Sequence, residues 1–267
     1  MFHRVKLCYT DPGIVLNGGI QMKKALIIIL ASLLLLTLFI SCSGEYILKD
    51  LAKMADKTHW NEKDSKYLTL SVDLTIEDRI EVNGNVTLLI PENTTLTAAK
   101  GITVREGNCL TISGPGTLNA TGADYMAGIG NDDNQYSNGG TIIINGGTVN
   151  ATGGEGAAGI GGGQGEGFPG TITINGGTVK ALGGIHGTGI GGGFWSNGGT
   201  VTINGGHVEA VGQDANGIGC VPFEGRKPGT LTLGEGVALK VKDYEDYPWE
   251  DYVVDQRRRY MKTADPE

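Results

Sequence analysis

The sequence predicts an all-β protein, a single-stranded parallel β-helix with coils of about 30 residues, a short N-terminal helix and an irregular C-terminal cap. Three observations carry that expectation: a glycine excess confined to one region, a repeat of fixed length, and period-two alternation inside each repeat. Glycine makes up 46 of 267 residues, against a usual share of about 7 per cent. All but five of them lie between Gly101 and Gly236. Only eight prolines accompany them and no every-third-residue period appears, which excludes collagen. An ordinary helical domain is excluded as well, because each interior glycine costs about 1 kcal/mol relative to alanine. A flexible linker would not need the recurring apolar residues Ile142, Ile144, Val149 and Ile160,.

Read in order, the chain begins with residues 1–21, a mixed, turn-rich stretch that does not fit a leader starting at Met22 and is expected to be an upstream extension that is not translated. Residues 22–41 have the layout of a secretory signal: Lys23 and Lys24, an uncharged apolar run from Ala25 to Ile40, then Ser41-Cys42-Ser43-Gly44,. The run Leu38-Phe39-Ile40-Ser41-Cys42 resembles a bacterial lipobox, with Phe39 where leucine is commoner. That resemblance implies acylation of Cys42 and a lipid-anchored protein of the cell envelope, at the outer membrane or cell surface. A single spanning helix is the competing assignment, although the apolar run falls short of the roughly 18 residues a span requires. Removal of residues 1–41 leaves 17 basic and 28 acidic residues, a net charge of −11. Such a balance argues against nucleic acid as a partner.

Residues 42–66 are expected to form a tether and a capping helix around Tyr46 to Ala55, since Ile47, Leu48, Leu51 and Ala55 share one helical face,. The β-helix itself is expected over residues 67–241. Tyr67 to Val104 keeps the grammar of strands and turns with less glycine and reads as the opening coils. The glycine-rich units then align as GTIIINGGTVNATGG from Gly140, GTITINGGTVKALGG from Gly170 and GTVTINGGHVEAVGQ from Gly199, with starts 30 and 29 residues apart. A degenerate copy starts at Cys109 and a truncated one at Gly229. Each unit carries a Gly-Ile-Gly step, as at Gly159-Ile160-Gly161.

Within a unit, Ile172 and Ile174 point inward and Thr171 and Thr173 outward, and Val179 and Ala181 inward with Thr178 and Lys180 outward,. Strands this short bury a core only when coils stack, Ile upon Ile and Val upon Val. Asn145, Asn175 and Asn204 recur at one corner, where a ladder of side-chain amides is expected,. A run of β-hairpins is the alternative, because Asn-Gly is also a hairpin signal, but it leaves the 30-residue spacing unexplained. Residues 242–267, acidic and aromatic and then basic, read as a cap with a solvated tail. Stacking also places Cys109 and Cys220 three coils apart, at least about 14 Å. A disulfide tolerates at most about 7 Å between Cα atoms, so both thiols are expected to be free.

The run GTITINGGTVKALGG with its trailing GTGIGGG, preceded by KGITVREGNCLTISGPGTLNATG, resembles the glycine-rich repeat of bacterial surface lipoproteins and adhesin-like proteins. More loosely, it is similar to the β-helical carbohydrate-binding domains of secreted bacterial proteins. The resemblance covers about Tyr67 to Val241 and implies adhesion or glycan binding. In the carbohydrate-binding relatives an Asp-Asp-Gly-Ile step holds calcium. Here the corresponding places read Met126-Ala127-Gly128-Ile129 and Ala157-Ala158-Gly159-Ile160, without the acids, so no metal or other cofactor is expected.

Catalysis is not expected either. Polysaccharide-cleaving sites need paired carboxylates on neighbouring coils, whereas the outward columns read Thr111, Ile143, Thr173, Thr202, Thr232 and Asn119, Asn150, Lys180, Glu209. Lys180 beside Glu209 reads as a surface ion pair. His59, His186 and His207 are scattered. The G-x-G-x-x-G at Gly154, Gly156 and Gly159 lacks a following helix, and Asn131-Asp132-Asp133-Asn134 reads as a solvated loop. The Thr-x-Thr columns are ordinary exposed strand residues that also have the look of an ice-binding face. The candidate ligand platform is aromatic: Tyr136, Phe168, Phe194, Trp195 and Phe223 follow successive Gly-Ile-Gly steps and would line one edge if their phases agree,. The function expected is a non-catalytic envelope lipoprotein, adhesive or carbohydrate-binding. The alternative is a spacer whose aromatics only cover their own glycine-rich corners.

Overall fold

A computed structural model describes residues 47–132, 137–221, 226–227, 229–242, 250–255 and 258–262. The extension 1–21, the leader 22–41 and Cys42 lie outside the described residues. The described residues belong to one compact unit, 47–267. This unit is a parallel β-helix whose inner coils each supply one strand to each of three sheets.

The first sheet stacks Leu48–Asp50, Tyr67–Thr69, Asn85–Leu89, Cys109–Ser113, Thr141–Ile144, Thr171–Ile174, Thr200–Ile203 and Thr230–Leu233. The second runs from Leu74–Ile76 through Thr95–Ala98, Thr117–Thr121, Thr148–Thr152, Thr178–Ile185 and His207–Gln213 to Ala238–Lys242. The third runs from His59–Asn61 through Ile80–Asn83 and Ile102–Val104 to the two-residue strands Ile129–Gly130, Ile160–Gly161, Ile190–Gly191 and Ile218–Gly219. Coil-to-coil pairing is parallel throughout these stacks, which removes the hairpin alternative.

Period-two alternation fixes the register, because a one-residue slip would turn every apolar side chain outward. Ile112, Ile144, Ile174 and Ile203 form one inner column. Leu118, Val149, Val179 and Val208 form a second, and Ile102, Ile129, Ile160 and Ile190 a third. All of them are buried. The expected amide ladder is present: Asn204 Nδ2 donates to Asn175 Oδ1 at 2.8 Å and Asn175 Nδ2 donates to Asn145 Oδ1 at 2.8 Å. Its middle member makes two such bonds, each worth about 1 kcal/mol net. Asn175→Ala is therefore expected to lower stability by about 1–2 kcal/mol in urea unfolding, and no loss would show that the ladder is decorative. Cys109 and Cys220 are both free thiols, Cys109 on the first sheet and Cys220 just after the third-sheet strand Ile218–Gly219 three coils on.

Two expectations are corrected. The segment read as a helix around Tyr46 to Ala55 is a strand, Leu48–Asp50, followed by a 3-10 turn, Leu51–Lys53. An isolated helix of this length is marginal in water, whereas Tyr67–Thr69 offers Leu48–Asp50 a ready ladder of backbone partners. Asp50 then ends the strand by accepting the Ala52 N–H at 3.1 Å and the Ser71 N–H at 3.2 Å. The only α-helix of the described residues is one turn, Glu62–Ser65, capped by Asn61 Oδ1 on the Asp64 N–H at 2.7 Å. The C-terminal cap is likewise not irregular: Glu250–Asp255 and Arg258–Lys262 extend the second sheet as antiparallel strands. Charged residues flank a short apolar centre in each, Tyr252-Val253-Val254 and Tyr260-Met261, a pattern that suits the last edge of a sheet.

Candidate functional site

The corner between the second and third strands turns through a left-handed residue in each repeat: Tyr125 at φ 69°, Gly156 at 70°, His186 at 62° and Asp214 at 49°. After the third strand, the loop back to the first sheet holds the aromatic residues. In the third repeat this loop makes a tight turn in which the Ser196 N–H donates to Gly193 O at 3.0 Å, with Trp195 at its apex and φ 68°. The turn is tied to the preceding coil at three points. The Phe194 N–H donates to Gly156 O at 2.7 Å, Phe194 O accepts the Gly165 N–H at 2.9 Å, and the buried Ser196 Oγ donates to Gly167 O at 2.7 Å.

This geometry presents rings on a fixed backbone. Phe194 and Trp195 meet edge to face, with centroids 5.1 Å apart, and His186 packs on the other side of Phe194 at 5.3 Å. Arg226 lies 6.0 Å from the centre of the Trp195 ring and reaches Glu166 at 3.4 Å. His186 Nδ1 is 3.8 Å from Asp214. Trp195 keeps 45 per cent of its surface exposed. A left-handed backbone costs a non-glycine residue roughly 1–2 kcal/mol, yet His186 and Trp195 stand in that conformation within one cluster, while the equivalent corner one coil earlier uses Gly156. Strain of this kind gathers where side chains are held for a purpose.

Of the five platform residues, the structure brings Phe194 and Trp195 together. Tyr136 and Phe223 lie outside the described residues. Phe168 is exposed but sits at a different phase: its N–H donates to Asn138 Oδ1 at 3.0 Å, the place taken by Lys227 over Asn197 two coils later. Among the described members, then, only Phe194 and Trp195 share a place, and Phe168 stands apart from them. The cause is position in the loop, since Phe168 follows Gly161 by seven residues whereas Phe194 and Trp195 follow Gly191 by three and four. Arg226 and Glu166 escaped sequence reading because their contact joins loops two coils apart, and the approach of His186 to Asp214 spans neighbouring coils.

Elsewhere, the loop at Asn131-Asp132 is buried rather than solvated, because arginines from preceding coils reach it. Arg105 pairs with Asp132, and Arg79 donates to Asn131 O at 3.3 Å. Asp133 and Asn134 lie outside the described residues. Lys180 and Glu209 do form an ion pair, at 3.7 Å on the open face of the second sheet, where such a pair is worth less than about 1 kcal/mol. The backbone and hydroxyl of Thr58 hold the Asp56 carboxyl well below its ordinary range, the Asn85 N–H lowers Glu62, and burial pushes the Cys220 thiol up. Among the described residues no three His, Cys, Asp or Glu side chains converge as metal ligands would, and no helix is long and apolar enough to cross a membrane.

Comparison with known proteins agrees with this architecture. No curated protein and no solved structure matches the chain. Residues 110–132, 142–164, 172–194 and 201–220 match the family model described as a beta helix repeat. Each match starts at the first inward residue of a first-sheet strand, Leu110, Ile142, Ile172 or Val201, so these four stretches are similar to that repeat in phase with the observed coils.

Proposed function

We propose that this chain is a non-catalytic, lipid-anchored protein of the bacterial cell envelope whose β-helix holds out an aromatic pair for a glycan. A β-helix repeat fold is compatible with a non-catalytic surface protein. The lipobox-like run ending at Cys42 supports the anchor, and the acidic balance speaks against nucleic acid,. The observation that carries the glycan reading is Trp195, half exposed and fixed at a strained apex with Phe194 against its edge. Apolar sugar faces stack on rings of this kind, and Arg226, Glu166, His186 and Asp214 surround the pair with hydrogen-bonding groups for hydroxyls,.

Trp195→Gly tests the reading because it separates binding from folding. Glycine suits φ 68°, so stability should stay within about 1 kcal/mol of wild type, while retention on a polysaccharide array should be lost. Equal glycan binding by wild type and variant, or no binding by either, would refute the platform and leave the spacer reading. That reading has one observation in its favour: Phe194 is partly covered by its own neighbours His186 and Trp195.

A further inference from the structure

The second sheet begins one coil late. In the coil that precedes Tyr67, the first sheet has Leu48–Asp50 and the third has His59–Asn61, but the second sheet has no strand there, and Leu74–Ile76 is its terminal strand. The Ala99 N–H donates to Ile76 O at 2.9 Å. In a parallel strand alternate residues turn both backbone groups to the same side, so Thr75 turns its N–H and C=O away from the stack, toward the vacant place. That place is a groove of about 520 Å³ between residues 55–59 and 75–78. Its walls carry three carboxylates, Asp56, Glu77 and Asp78, against Lys57 and His59. Three of the seven exposed large apolar side chains of the described residues, Ile47, Leu48 and Val72, belong to the same opening coils.

The opposite end of the same sheet has strands in excess. Beyond Ala238–Lys242, Glu250–Asp255 runs antiparallel and Arg258–Lys262 antiparallel again. Two reversals restore the original direction, so the terminal strand Arg258–Lys262 runs parallel to Ala238–Lys242 and hence in the sense of Leu74–Ile76. Its sequence, Arg-Arg-Tyr-Met-Lys, is basic where the groove is acidic. One edge thus lacks a strand of given direction and charge, and the other edge of the same sheet ends in such a strand. Natural sheets rarely leave matching edges open without use or protection.

We propose that copies of this chain stack head to tail, the strand Arg258–Lys262 of one copy taking the vacant place beside Leu74–Ile76 of the next as a parallel strand. The contact is strand addition to a sheet edge, with backbone bonds supplying affinity and charge supplying selectivity. It joins two different surfaces, so it does not close on itself and yields short chains rather than a dimer. It uses the second sheet, whereas the first described strand, Leu48–Asp50, belongs to the first sheet.

The test uses the full-length protein in detergent solution. Sedimentation mass should rise with protein concentration, and an amine-reactive cross-linker should join Lys57 to Lys262. Within one copy the strands Leu74–Ile76 and Arg258–Lys262 stand eight spacings apart, about 38 Å, so a short link between these lysines reports two copies. Arg258→Glu with Arg259→Glu should weaken association at least tenfold, as should Glu77→Arg with Asp78→Arg, and combining all four should restore it. A monomer at every concentration, absence of the link, or failure of the combined variant to recover would overturn the proposal.

Discussion

Gly161→Ala is expected to abolish folding or to remove roughly 4 kcal/mol or more of stability, in the range reserved for overpacking joined to backbone strain. Gly161 ends a third-sheet strand at φ 129°, and a Cβ there would stand 2.2 Å from Gly191 O in the next coil, with further backbone atoms at 3.1 Å and 3.2 Å. No rotamer can relieve a clash with backbone, and the same relation recurs at Gly130 over Gly161 and at Gly191 over Gly219. The substitution would have to push two coils apart, breaking the pairing of Ile160 with Ile190. Gly107→Ala is the matched control. Gly107 has φ 82° but nothing within 4 Å of a Cβ, so it should lose only the roughly 1–2 kcal/mol of left-handed strain. Urea unfolding of the two variants measures the difference, and equal losses would mean that the coils are not in contact at the Gly-Ile-Gly steps.

Trp60→Ala is expected to cost about 3–5 kcal/mol, the range for deleting a large buried aromatic. Trp60 is fully buried. It stands on His59–Asn61 in register with Val82, which pairs in turn with Val104 beside the isoleucine column of the third sheet, and its Nε1 donates to Lys57 O at 2.8 Å. It therefore closes the N-terminal mouth of the apolar interior. In a stacked fold each coil is stabilised by its neighbours, so the loss should be local first. Amide exchange should accelerate over residues 48–83 before it does over residues 142–203. Val72→Ala, at a residue 55 per cent exposed, should change stability by less than about 0.5 kcal/mol. Uniform acceleration along the whole chain would show that Trp60 is not an end plug.

The closing of that mouth was not legible in the sequence. Ile47, Leu48, Leu51 and Ala55 have helical spacing, but a β-strand at the edge of a sheet is chosen by the partner it finds, and the partner, Tyr67–Thr69, is remote in sequence from Leu48–Asp50. Of these residues Leu51 is fully buried, while Ile47 and Leu48 remain exposed. The role of Trp60 was hidden for the same reason, since nothing local tells a plug from a surface aromatic. The aromatic pair was half legible. Adjacency placed Phe194 beside Trp195, and the count from each Gly-Ile-Gly step, seven residues to Phe168 against three to Phe194, could have shown that Phe168 falls out of phase. Arg226 and Glu166 could not have been assigned, because only the stacking of successive coils brings them together.

The repeat was legible because its physics is local and periodic. Alternation of Ile with Thr over residues 171–174 sets which face is buried, the 29- and 30-residue spacing sets the coil, and glycines at fixed places mark where backbones must approach. Identical side chains at one spacing have one economical arrangement, each upon its copy, and Asn145, Asn175 and Asn204 follow it down to their amide bonds. By itself, then, the sequence determined the parallel β-helix, its inner columns and the separation of Cys109 from Cys220. The tertiary structure alone decided what happens where periodicity stops: the strand in place of a helix at Leu48–Asp50, the unfilled second-sheet place beside Leu74–Ile76, and the meeting of His186, Phe194, Trp195 and Arg226. Tyr67–Thr69 reaches Leu48–Asp50, and Arg226 reaches Trp195, from another coil, where distance along the chain no longer predicts distance in space.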